Sequence, residues 1–180
     1  MKSSVESLLA DDHESLGQVL GELDLELINL NVSRGFELLD LFWARLAVHI
    51  RAEHLHLFPA LANAPAALST GGKSLPTADD VQDVLRQLHS DHDFFMKELA
   101  EIVRSMRELA AARRSDYEEV EALRRQLMTI ASRLEAHNKI EETQAYEWVG
   151  LLFDEETIKG LGARIRHELE NLPPRLASTT

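Results

Sequence analysis

The sequence predicts an all-α protein, an up-down-up-down four-helix bundle with a short C-terminal helix. Three observations predict it. Glycine and proline are scarce, 8 and 5 of 180 residues, and aromatics make up 6%, so turn formers and strand formers are both few. Apolar residues recur at the helical period in four separate stretches. Two short turns and one longer loop separate these stretches, as in neighbouring antiparallel helices. At 44% hydrophobic and 28% charged the chain can bury a real core. A single domain over 1–172 is expected, with a frayed tail over 173–180.

The first helix is expected over 5–29, on the stripe Leu8, Leu16, Leu20, Leu23 and Leu27. Asn29 to Gly35 reads as a turn, with Ser33 as the N-cap of the next helix and Glu37 close behind. That second helix, 34–62, carries Leu39, Phe42, Leu46, His49, Glu53 and His56 on one stripe. The longest loop lies within Pro59 to Thr77 and holds Pro65, Gly71, Gly72 and Pro76. Thr77 can cap the third helix, 78–112, whose Asp79 and Asp80 suit its N-terminal dipole. Its stripe is Leu85, Leu88, His92, Phe95, Leu99 and Ile102. Arg113-Arg114-Ser115-Asp116 reads as a compact turn into the fourth helix, 116–150, which carries Leu123, Leu127, Ile130, Leu134, His137 and Glu141. Gly150, Gly160 and Gly162 read as breaks around a fifth helix at 155–170, and Pro173-Pro174 as the end of ordered structure.

Composition excludes several chemistries. With no cysteine there is no disulfide, thiolate metal site, iron–sulfur cluster or Cys nucleophile, so any metal is held by nitrogen and oxygen. A net charge of −12, from 31 acids and 19 bases, makes a poor binder of nucleic acid or anionic membranes. No run of about 18 apolar residues exists to span a bilayer. Asp11, Asp12 and Glu14 interrupt the region where a leader peptide would be apolar, so a cytoplasmic protein is expected.

The apolar stripes contain polar groups that solvation does not explain. Each long helix places one His inward: His13, His49, His92 and His137. Glu53 and Glu141 follow His49 and His137 by four residues, on the same helical face. The pattern is an internal repeat. Arg45 to Glu53 and Arg133 to Glu141 share R-L-x-x-H-x-x-x-E, and Asp12-His13-Glu14 matches Asp91-His92-Asp93. His13 and His49 lie 18 residues either side of position 31, and His92 and His137 are centred on the second turn. The two pairs therefore sit at heights differing by roughly 7 Å, about one turn. Six such groups in one core layer are costly without partners. Two divalent ions resolve the cost if each takes two His and both carboxylates bridge. Imidazole with carboxylate suits iron, with manganese and zinc as alternatives, and the donor count leaves an open position for a small ligand.

Further His are candidates for supporting roles. His89, three residues before His92, is a candidate fifth ligand or a group hydrogen-bonded behind the ligands, and His56 a candidate border of the open side. His56, His89 and Tyr146 are also candidates for proton transfer, whereas His54 and His167 are expected to face solvent. Glu53-x-x-His56 has the E-x-x-H spacing of ferritin-like di-iron proteins, but no second copy exists.

With its two H…H-x-x-x-E units, and with Glu53-His54-Leu55-His56-Leu57-Phe58-Pro59 closing the second helix, the chain resembles the hemerythrin-like family over about residues 8–150. The resemblance implies a non-haem pair of irons with an oxo or hydroxo bridge. It assigns His13 and His49 to one iron, His92 and His137 to the other, and Glu53 and Glu141 to bridging. Oxygen carriers of the family have H-x-x-x-H on the third helix where this chain has His89-x-x-His92. Four functions are carried forward. One is binding or sensing of O2, NO or peroxide in a pocket walled by groups such as Leu9, Phe42, Leu88 and Phe95. Another is an oxidoreductase consuming peroxide or NO, which needs an electron donor. The others are iron storage or sensing, and a metal-free His-phosphotransfer bundle, which needs an exposed His, with His137 in His137-Asn138-Lys139 as its one candidate and the inward quartet against it.

Overall fold

The structure, a computed structural model, describes residues 4–64, 75–112 and 116–173. Among them it is all-helical, in five helices with no strand. Helix α1 is Ser4–Ile28. Helix α2, residues 32–62, comprises Val32–Ala52, a π-helical turn Glu53–Leu57, and Phe58–Ala62. Helix α3 is Ala78–Ala112. Helix α4, residues 117–152, repeats the pattern of α2 as Tyr117–Ile140, a π-helical turn Glu141–Ala145, and Tyr146–Leu152. Helix α5 is Glu155–Leu169. No described helix is long and apolar enough to cross a membrane.

The ends of the helices follow local chemistry. Between α1 and α2 the backbone N–H of Asn31 reaches Glu26 O and that of Leu30 reaches Leu27 O, the paired bonds of a Schellman turn. Leu30 occupies the left-handed residue at φ 56°, a position that costs a branched side chain about 1–2 kcal/mol. Its packing against the core offsets this. Asn31, not Ser33, is the N-cap, its side chain accepting from Arg34 N–H; Ser33 lies inside the helix. The Schellman turn has already reversed the chain by Asn31, so helix α2 starts two residues early. Thr77 caps α3 as expected, with Asp80 bonding reciprocally to Thr77 N–H. Asp116 and Asp154 cap α4 and α5. The predicted loop residues Pro65, Gly71 and Gly72, the residues Arg113 to Ser115, and the tail from Pro174 lie outside the described residues.

The three C-terminal glycines do not break helices. Gly150 lies inside α4, and Gly160 and Gly162 inside α5. A Cβ on Gly162 would stand 3.3 Å from Ser4 Oγ, so this glycine lets α5 pack closely on α1. The break falls instead at Phe153, whose extended backbone leads into the Asp154 cap.

The hydrophobic core is divided in two. One part joins Leu16 to Leu27, Leu38 to Ile50, Phe95 to Met106 and Val120 to Leu134. The other joins Val5 and Leu9 to Ala52 to Leu61, Val81 to Leu88, Ala145 to Val149, and Leu161 and Ile165 of α5. Each large buried apolar side chain contributes about 1.5–3 kcal/mol. Along every long helix, the layer between the two parts is polar: His13 on α1, His49 and Glu53 on α2, His92 on α3, and His137 and Glu141 on α4.

Candidate metal centre

All six predicted residues meet in this layer. His13 Nε2 lies 3.1 Å from His49 Nε2, and His92 Nε2 lies 3.0 Å from His137 Nε2. The carboxylates span the two pairs. Glu141 places Oε2 3.2 Å from His13 and Oε1 3.0 Å from His137 and 3.6 Å from His92. Glu53 places Oε1 3.6 Å from His49 and Oε2 3.4 Å from His92. Donor atoms of His13, His49 and Glu141 lie within 4.8 Å of one another, and so do those of His92, His137 and Glu141. Both carboxylates are fully buried.

The repeated residues around these groups fix the imidazoles. Asp12 Oδ2 lies 2.8 Å from His49 Nδ1, and Asp91 Oδ2 lies 3.4 Å from His137 Nδ1. Arg45 donates to Asp12 and Arg133 to Asp91. The R-L-x-x-H and D-H repeats thus encode two copies of an Arg–Asp–His chain, one linking α1 to α2 and the other α3 to α4. Burial alone would raise the Asp12 pKa, but His49 and Arg45 hold it below the usual value, so it accepts. His13 Nδ1 meets Glu142 Oε1 at 3.0 Å, and His92 Nδ1 meets His54 Nε2 at 2.9 Å. Carboxylates behind Nδ1 require a proton there, which leaves Nε2 of a neutral imidazole as a bare lone pair. Bare lone pairs facing each other at about 3 Å, beside two carboxylates, would be relieved by a proton or a metal ion between them. This orienting arrangement is typical of metal-bound His. Asp12→Asn, which keeps shape but loses charge, is expected to weaken zinc binding by about 10–100-fold in a chelator competition titration.

The two π-helical turns begin at the two carboxylates; they bring Tyr146, a candidate for proton transfer from the sequence, to the centre, and with it Phe58, which the sequence did not single out for the site. Phe58 N–H bonds Glu53 O, and Tyr146 N–H bonds Glu141 O, each one residue further back than in an α-helix. The extra residue in the turn brings position i+5 to the face that i+4 would occupy. Phe58 therefore stacks on His92, ring centroids 5.7 Å apart, and Tyr146 on His13, also 5.7 Å. The Tyr146 hydroxyl donates to Glu53 Oε1 at 2.7 Å and lies 3.2 Å from both Glu141 Oε2 and His13 Nε2. Its pKa is pushed well above the usual value, by burial and then by Glu141 and Glu53, so the proton stays on.

The register change in the second helix corrects the expectations for His56 and His54, and His89 on the third helix departs from the ligand reading without it. His56 is only half-buried and is not brought to the carboxylates, because the π-helical turn rotates it off the inner face. His54, expected in solvent, is half-buried against His92; burial, then His92 and His89, lower its pKa. His89 does not join either donor set. It is exposed, its Nδ1 donates to Leu85 O at 2.6 Å, and its ring stacks on His54. His167 is exposed, as expected.

Electrostatics and unmet bonds agree with a cation. Burial favours neutral groups, yet Glu53 and Asp12 raise His49 well above its usual pKa, and Glu141 outweighs burial to raise His137. Glu141 is held well below the carboxylate range against its own burial, by hydrogen bonds from His13, His137 and His92. Glu53 Oε2 is buried without a hydrogen-bond partner, and Glu141 Oε1 is buried with His137 Nε2, at 3.0 Å, as its nearest donor. Both oxygens face the His92 and His137 pair, where a cation would complete them. These buried His and Glu groups could hold a metal ion, and the donor set fits a borderline divalent cation. Comparison with protein-family models, curated proteins and solved structures gives no match.

Proposed function

We propose that the protein is a non-haem di-iron protein of hemerythrin type, an up-down-up-down bundle that binds O2, NO or peroxide in sensing, binding or detoxification. One observation carries this reading: each of two buried carboxylates directs one oxygen to each of two His pairs. In this reading His13 and His49 hold one ion, His92 and His137 the other, and Glu53 and Glu141 bridge. Bound iron would supply reversible electron transfer to a small ligand. The chain supplies the rest. Leu9, Phe42, Leu88 and Phe95, all fully buried, limit water, and the Arg–Asp–His chains hold the imidazoles. The Tyr146 hydroxyl keeps a proton at the carboxylates.

That buried phenol favours a second reading, an oxidoreductase consuming peroxide or NO, because a fixed hydrogen-bond donor at the centre suits turnover. Iron storage or sensing rests on the same donor set. A His-phosphotransfer role is opposed by the burial of His137.

The experiment is an optical spectrum of Fe(II)-loaded protein prepared without oxygen, then exposed to air, then degassed. Near-ultraviolet absorption that appears and reverses is the result expected for reversible binding. Absorption that appears and persists favours the oxidoreductase. A protein that retains no iron overturns both.

A further inference from the structure

The internal repeat is broken at two positions beside the centre. Where α2 has Glu53-His54 and Phe58, α4 has Glu141-Glu142 and Tyr146. In consequence the two His pairs are backed differently. His13 and His49 each present Nδ1 to a carboxylate, Glu142 at 3.0 Å and Asp12 at 2.8 Å. Of the other pair, His137 faces Asp91 at 3.4 Å and His92 faces the imidazole of His54. A carboxylate behind Nδ1 raises the basicity of Nε2 and its hold on a metal, and such partners change affinity by about 10–100-fold. The Tyr146 hydroxyl adds an oxygen on the His13 side, where Phe58 offers none on the other. Access follows the same sense. His13 and Glu142 line a groove of about 640 Å³ between α1 and α4, floored in part by Gly17 and Ala131. His13 is also the most exposed of the six, at 7% against 0–2%.

The geometry points to two unequal metal positions: the His13/His49 position fills first, and residues 54 and 142 set the difference. This rests on the metal-centre reading above and adds an order to it. The arrangement gives the protein a half-loaded form with one ion at a defined position, which an exactly repeated centre would lack.

The test is a zinc titration of metal-free protein labelled with ¹⁵N in the His rings, read by nuclear magnetic resonance. The His13 and His49 ring signals are expected to move over the first equivalent, and those of His92 and His137 over the second, with affinities about tenfold or more apart. His54→Glu, which gives the second pair a matching carboxylate, is expected to make the four signals move together. Glu142→Gln, an isosteric change at a half-exposed side chain, is expected to narrow the gap from the other side. Four signals moving together in the unaltered protein, or His92 and His137 moving first, overturn the inference while leaving the metal centre standing. An order unchanged in both variants removes residues 54 and 142 from the explanation and overturns it as well. No movement of any signal overturns the metal centre itself.

Discussion

Adding Fe(II) or Zn(II) to the metal-free protein is expected to raise its melting temperature by about 10–20 °C, and a chelator should reverse the rise. Each cation held at a concentration about 100 times its dissociation constant adds roughly 2.7 kcal/mol, and a domain of this size gains about 2–4 °C per kcal/mol. Without metal, protons take part of the cation's place. The raised pKa of His49 and of His137 leaves imidazolium groups against Glu53, Asp12 and Glu141. The metal-free fold therefore persists, held by the two apolar parts of the core on either side of the layer. Protons leave at least one group unsatisfied, however, because Glu53 Oε2 is buried without a hydrogen-bond partner, and an unmade bond at a buried polar group costs about 1–3 kcal/mol. Calorimetry with and without each metal measures the gain. An unchanged melting temperature at saturating zinc and iron would show that the layer holds no cation.

Much of this arrangement was legible because periodicity and the repeat report on burial directly. Leu85, Leu88, His92, Phe95, Leu99 and Ile102 were placed on one inward face, and all are buried. The matched offsets of the His from the turns put all six groups in one layer, where the structure finds them. The Arg and Asp of the repeat were visible as a pattern, but not as hydrogen bonds between helices, because that contact depends on how two helices face each other. What failed was the placing of His56 and His54, which assumed a constant 3.6-residue turn beyond Glu53. A π-helical turn leaves no plain mark in composition, and it moved His56 off the stripe while turning Phe58 and Tyr146 onto it. A signal was present: an aromatic stands five residues after the H-x-x-x-E carboxylate in both copies. Ser33 failed as a cap for a different reason, since Leu30 takes the left-handed position and ends the turn early.

Glu141→Ala is expected to abolish binding of both ions, whereas His92→Ala should leave one. Glu141 belongs to both three-donor sets, and His92 to only one. His137→Ala and Glu53→Ala should also lose metal, and all these variants should melt lower than the unaltered protein in the same excess of metal. The metal-free forms separate charge from cavity. Glu141 stands against three His, and removing one partner of a buried charged network costs roughly 3–5 kcal/mol, because the remaining groups stay buried without it. Glu141→Gln keeps the volume and one acceptor, so its metal-free form should melt closer to the original, yet it should bind metal almost as poorly as the alanine variant. Metal analysis by mass spectrometry after gel filtration, with melting curves for each form, gives both readouts. Two ions retained by Glu141→Ala would break the assignment of a shared bridge. Loss of both ions from His92→Ala would mean instead that neither position stands alone, and would make the two pairs one cooperative unit.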